Sequence, residues 1–189
     1  MSRMEIRLSG FGGQGIIKTG FIIGEAVAIH DGRNATFTQS YGPESRGGAA
    51  AAQVVISDEP ISYPHVIDPS ILVVMSQGAY SKYVFGFRKD GLLIIDQDLV
   101  EIDEVAEGLR VLSIPATRLA EELGRKVVAN VVMLGFLTAV TDLVSIEGMK
   151  KAVLSSVPKG TEELNLKAFE RGHKYGQQLI KGRNGAGDE

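Results

Sequence analysis

Ile6-Arg7-Leu8-Ser9-Gly10-Phe11-Gly12-Gly13-Gln14-Gly15-Ile16-Ile17 governs how the rest of the chain reads. Apolar residues alternate with Arg7 and Ser9, as in a short strand, and a glycine turn follows. Gly10, Gly12 and Gly15 have the G-x-G-x-x-G spacing of a turn that leads a strand into a helix and lets a phosphate approach the helix N-terminus. Glycine suits that turn because it reaches φ > 0 without a Cβ penalty, and bare backbone exposes the unpaired N–H groups at the positive helix end. Gly12 is expected to need both properties. Ile16, Gly20, Ile23 and Val27 then form one helical stripe, with Ile17, Phe21, Gly24 and Ala28 beside it and Lys18 and Glu25 off both. One wide face of this helix is expected to lie against a sheet.

Downstream, Asp31-Gly32-Arg33-Asn34 reads as a turn and residues 35–39 alternate as a second strand. That strand is expected to be parallel and to end beside the first glycine turn, where ligand crevices of open α/β sheets form. It runs into Ser40-Tyr41-Gly42-Pro43-Glu44-Ser45-Arg46-Gly47-Gly48, and the small residues 49–52 lead into a strand at 53–57. After a proline-bearing loop, residues 71–75, 92–95 and 111–114 are apolar runs of the kind that form strands buried on both faces. Helices are expected at 77–87, 116–124, 127–140, 146–156 and 163–180. The pattern predicts one α/β domain over residues 1–180, a Rossmann-like open, mostly parallel sheet with helices on both faces, followed by a polar tail at 181–189. Residues 127–140 are apolar nearly all round, with Asn130 and Thr138 the polar exceptions, so this helix is expected to be covered on every side, by a partner subunit or, alternatively, by the helices of residues 146–180 within the chain.

Composition narrows the function. Hydrophobic residues at 44% and charged residues at 23% describe an ordinary globular chain. A net charge of −3 lacks the basic footprint of a nucleic-acid binder, and aromatics at 6% with no tryptophan leave few stacking platforms. With no cysteine, the chain holds no disulfide, thiolate nucleophile or cysteine-ligated iron–sulfur cluster. Residues 127–140 fall short of the ~20 needed to cross a bilayer, and the N-terminus does not read as a signal peptide. A cytoplasmic location follows as the expectation.

Dinucleotide binding needs an acid at the end of the second strand, where this chain has Thr38, Gln39, Ser40 and Tyr41. The Gly42–Gly47 loop lacks the G-x-S-x-G spacing of a nucleophile elbow. His30, His65 and His173 form no pair at metal-ligand spacing. Asp96-Gln97-Asp98 ends an apolar run, and it reads either as a hard-cation site or as a polar strand end. No catalytic constellation emerges and no metal ligand is assigned.

Taken together, the motifs carry a resemblance. Gly10-Phe11-Gly12-Gly13-Gln14-Gly15 resembles the start of the gamma subunit of 2-oxoacid:ferredoxin oxidoreductases. Residues 39–48 are similar to that family's second signature, in the form usual for the 2-oxoglutarate enzymes. Asp68-x-x-Ile71-Leu72-Val73 with Ser76-Gln77, and Leu164-Asn165-Leu166-Lys167-Ala168-Phe169, are similar as well. The resemblance implies a subunit with no activity of its own. Its complex oxidatively decarboxylates a 2-oxoacid, reduces ferredoxin and forms an acyl-coenzyme A. Thiamine diphosphate, Mg and iron–sulfur clusters are implied on partner alpha, beta and ferredoxin-like delta subunits, in keeping with the missing cysteines. Gly12, Gly13, Gln14, Arg46 and Gly47 are implied either to contact coenzyme A or to dock onto the partners. Two alternatives stay open: the related indolepyruvate oxidoreductase small subunit, which shares the first signature, and a free-standing nucleotide-binding Rossmann protein.

Overall fold

The uninterrupted apolar runs form the centre of the sheet in the computed structural model, which describes residues 3–40 and 49–185. β4 (Ile71–Val74) and β5 (Leu92–Asp96) are buried at every position, as strands covered on both faces must be. β1 (Met4–Phe11), β4, β5 and β6 (Arg110–Ile114) lie side by side and parallel. On the other flank of β1, β3 (Ala49–Ser57) runs antiparallel, with Met4 opposite Ile56 and Phe11 opposite Ala49. β2 (Asn34–Ser40) pairs antiparallel with β3 and is outermost, giving the order β2-β3-β1-β4-β5-β6. The α/β, mostly parallel sheet is as expected, but β2 is not the neighbour of β1, because β3 is inserted between them. The small run explains the insertion. Ala50, Ala51 and Ala52 are buried, and Ala52 lies where Gly20 of α1 (Ile16–Glu25) comes down onto the sheet. Two reversals leave β2 pointing the same way as β1, so its carboxyl end still shares an edge of the sheet with the glycine turn.

Strand periodicity sorts side chains between two cores. Ile6, Leu8, Val54, Ile56, Val73 and Ile94 face α1, α3 (Ala116–Glu122), α4 (Ala129–Val140), α5 (Ile146–Ser156) and α6 (Glu162–Gly185). Leu72, Val74, Leu93 and Ile95 face the opposite side, covered by Ala79 and Tyr80 of α2 (Gln77–Tyr83). Ser76 starts α2 by accepting a hydrogen bond from the Ala79 N–H. The helix stops at Tyr83, short of the expected residue 87, and Gly86 turns the chain at φ 79°.

α4 decides between the two covers expected for it. It is buried from Ala129 to Thr138 by this chain itself. α6 crosses it so closely that a Cβ at Gly135 would strike the Phe169 carbonyl oxygen, and one at Gly172 the Val132 carbonyl oxygen. Gly172 and Gly176 sit one turn apart and make a groove in α6 into which α4 fits. The apolar run therefore supplies no argument for a partner subunit. Val127 is not part of α4: it lies in a 3-10 turn, Lys126–Val128, and is 66% exposed. α6 also continues through Gly185, past residue 180 where the tail was expected to begin. Among the described residues, no helix is long and apolar enough to cross a membrane.

Candidate functional site

The turn between β1 and α1 is held by its own glutamine. Gln14 Oε1 accepts from the Phe11 N–H at 2.6 Å, and its Nε2 donates to the Met75 carbonyl at 2.7 Å. The side chain thus pins the end of β1 to the end of β4 and leaves the turn backbone exposed. Gly13 and Gly15 adopt left-handed φ of 96° and 75°, a region that favours glycine. A Cβ at Gly10 would also meet Ile16. Gly12 differs from expectation. Its φ is not positive and no atom lies within 4 Å of where its Cβ would stand. What Gly12 offers is bare, exposed backbone.

Gly15 caps α1 without a side chain, so the orphan N–H groups of the first turn have no protein cap. α4 differs: it continues directly from the 3-10 turn Lys126–Val128, and the Arg125 and Lys126 carbonyls take up the Val128 and Ala129 N–H groups. The two helix starts meet, since Gly15 packs directly against the Asn130 amide. Asn130 is 8% exposed as a residue, its amide opens into a cleft, and the wholly buried side-chain polar atom left unpaired among the described residues is Arg7 Nε, not an atom of Asn130. An amide left open to a cleft is available to a ligand that supplies its hydrogen bonds. That cleft, about 490 Å³, runs between α1, α4 and the α5–α6 connection, lined by Gly13, Gly15, Lys18, Arg125, Asn130 and Asn165 among others. Asn165 is already satisfied by Thr161. A second groove, about 600 Å³, lies on the other side of the turn against Phe11, Phe21 and Phe37 and shares Gly13, Gly15 and Lys18 with the first. Among the described residues neither is lined by a carboxylate, so Lys18 and Arg125 act uncompensated there. One uncapped helix N-terminus, two cations and an open amide suit an anionic, phosphate-bearing ligand.

Sequence reasoning found the turn and missed Asn130 as a site residue, although a lone amide at the start of an apolar run was a visible signal. Of the five residues singled out, the structure brings Gly12, Gly13 and Gln14 together. Arg46 and Gly47, and Tyr41 beside them, lie outside the described residues. Asp96 resolves as a strand end: its carboxylate is buried and accepts from the Thr117 N–H (3.0 Å) and hydroxyl (2.6 Å), capping α3. Burial pushes that carboxyl above its ordinary pKa. No group of three or more potential metal ligands gathers among the described residues.

The family model of pyruvate ferredoxin/flavodoxin oxidoreductase matches residues 5–175. The chain belongs to that family. Within it, the chain is 55% identical to 2-oxoglutarate synthase subunit KorC of Methanocaldococcus jannaschii, over 94% of this chain and 96% of that one. The gamma subunit of a keto/oxoacid ferredoxin oxidoreductase from Geobacter sulfurreducens shares the fold at a TM-score of 0.82 and 40% identity, over 93% of this chain and 99% of that one. The 2-oxoglutarate:ferredoxin oxidoreductase of Magnetococcus marinus, solved with 2-oxoglutarate, coenzyme A and succinyl-CoA, superposes at a TM-score of 0.84 and 25% identity. There the match covers 95% of this chain and 32% of a longer polypeptide. The β1–α1 turn and Asn130 both fall inside the span that the pyruvate ferredoxin/flavodoxin oxidoreductase model matches.

Proposed function

We propose that this chain is the gamma-type subunit of a 2-oxoglutarate:ferredoxin oxidoreductase, and that its glycine turn holds the phosphate end of coenzyme A. The likeness to 2-oxoglutarate synthase subunits supports the first part. The observation that carries the second is the uncapped N-terminus of α1 at Gly15, met by the Asn130 amide beside Lys18 and Arg125. In this reading the exposed N–H groups around Gly12 and Gly13 and the α1 dipole face the phosphates. Lys18 and Arg125 neutralise them, Asn130 completes its hydrogen bonds on the ligand, and Gln14 keeps the turn in shape. Arg46 and Gly47, which lie outside the described residues, are proposed as further contacts to the phosphates. The complex converts 2-oxoglutarate, coenzyme A and two oxidised ferredoxins into succinyl-CoA, carbon dioxide, a proton and two reduced ferredoxins. Thiamine diphosphate with Mg and the iron–sulfur clusters supply the decarboxylation and electron transfer on alpha, beta and delta subunits, since a chain without cysteine offers no thiolate for a cluster.

Calorimetric titration of the full chain tests this. Coenzyme A and 3′,5′-ADP are expected to bind and pantetheine alone to bind far more weakly. Asn130→Ala and Lys18→Ala should each weaken coenzyme A by about tenfold, as loss of one charged or buried polar partner does. Equal affinity in both variants, or tighter binding of pantetheine than of 3′,5′-ADP, would overturn the assignment.

A further inference from the structure

We propose that Arg125 receives the 3′-phosphate of coenzyme A and makes the cleft select the coenzyme over its dephospho form. Four cations stand on or beside α3, and three of them are held by acids: Arg118 by Asp98 at 3.3 Å, Lys126 by Glu121 at 3.7 Å and Arg171 by Glu122 at 2.8 Å. Arg125 is the fourth, and among the described residues its side chain has no carboxylate or hydrogen-bond partner. Of these four it is also the one that lines the cleft between α1, α4 and the α5–α6 connection. Gly124, at a left-handed φ of 86°, makes the bend after α3 that brings Arg125 to the turn before α4. The backbone of Arg125 is then fixed on both sides. Its N–H donates to the Ala120 carbonyl at 3.2 Å, and its carbonyl accepts from the Val128 N–H at 3.1 Å. The Asn130 amide, on a residue 8% exposed, opens into the same cleft. A guanidinium without an acid, held at the wall of a cleft beside an open amide, presents a fork of donors to an anion.

What Arg125 binds follows from where the other cation stands, given the coenzyme A reading of the turn, on which this role rests. Coenzyme A carries phosphate in two places, a pyrophosphate within its chain and a monoester on the ribose. A glycine turn of this spacing admits a pyrophosphate at the helix N-terminus. Lys18, in the first turn of α1, lines the grooves on both sides of that turn and serves the same group. Arg125 lines only the cleft on the α4 side. Among the described residues that line this cleft the cations are Lys18 and Arg125, so the monoester has Arg125 left to neutralise it. A phosphate monoester holds about two negative charges near pH 7, and the planar guanidinium can take two of its oxygens at once, as an ammonium cannot.

Calorimetric titration of coenzyme A and of dephospho-coenzyme A into the full chain, Arg125→Gln, Arg125→Lys and Lys18→Ala tests this. The parent should bind coenzyme A about tenfold or more tighter than the dephospho form. Arg125→Gln should bring coenzyme A down to the affinity of the dephospho form and leave the dephospho form unchanged, and Arg125→Lys should restore only part of the preference. Lys18→Ala should weaken both forms alike and so keep the preference. Arg125 is exposed, so melting temperatures of its variants should match that of the parent. Equal binding of the two forms by the parent would overturn the role of Arg125 and leave the coenzyme A reading standing. So would an Arg125→Gln variant that keeps the preference or weakens both forms alike. Binding of neither form by the folded parent would overturn the coenzyme A reading, and the role of Arg125 with it.

Discussion

Gly135→Ala sets two well-calibrated effects against each other. In the middle of a helix, alanine is favoured over glycine by about 1 kcal/mol, so propensity alone predicts a more stable protein. The crossing of α4 and α6 predicts the reverse. A Cβ at Gly135 would overlap the Phe169 carbonyl oxygen and stand 2.8 Å from its carbon and 2.9 Å from the His173 nitrogen. These atoms are backbone, so no rotamer change relieves the contact and α6 itself must move. Overpacking of this kind costs about 3 kcal/mol, at the upper end of the usual range. The net is about 2 kcal/mol of destabilisation, or a fall of about 4–8 °C in melting temperature for a chain of this size. Gly172→Ala should behave alike, because it meets the Val132 carbonyl in the mirror relation. Once one alanine has pushed the helices apart the second has less to displace, so the double variant should lose less than the sum. Thermal melts of the two single variants and the double variant, followed by circular dichroism, measure all of this. A melting temperature equal to or above that of the parent in either single variant would refute the close crossing.

Gly12→Ala should change stability by less than about 0.5 kcal/mol, whereas Gly13→Ala should cost about 1–2 kcal/mol for its left-handed φ; equal losses would remove the distinction between them. Asp96→Leu should cost about 1–3 kcal/mol by orphaning the Thr117 N–H and hydroxyl, and Asp96→Asn less because its oxygen still accepts; the order of the two melting temperatures checks this. For Glu5, burial pushes the carboxyl up, but Arg3 and the N–H groups of Asp68 and Ile67 outweigh it and hold the pKa below its ordinary value. Its stabilisation is therefore present above the unfolded pKa of about 4.3 and lost as pH falls through the folded value. Glu5→Gln should lower the melting temperature at neutral pH and progressively less in acid, and a constant difference across that range would contradict it. Purified alone, the chain should reduce no viologen dye with 2-oxoglutarate and coenzyme A, and turnover by a homogeneous sample would count against a subunit role.

The central sheet was legible because buried parallel strands leave a strong mark. Residues 71–75 and 92–95 are apolar without interruption, and few other structures tolerate that. The insertion of β3 left a much fainter one. Ala50, Ala51 and Ala52 are buried in the strand for their smallness rather than their propensity, and nothing in the pattern names the neighbour on either side.

The cover of α4 stayed open in the sequence for a sharper reason. All-round apolarity says that a helix is covered, not by what, and the answer lay about forty residues on, in Gly172 and Gly176 at i, i+4. Small residues at that spacing let one backbone approach another, so the mark of the cover sat on the covering helix. The site follows the same logic. The glycine turn announced itself by spacing, yet spacing does not separate Gly12, whose exposed backbone is free, from Gly13 and Gly15, whose φ is fixed. Asn130 was visible only as an exception within an apolar run. It becomes a site residue because Gly15 has no side chain: the missing Cβ leaves room for the amide at the start of α1, where an uncapped helix N-terminus and an open amide coincide.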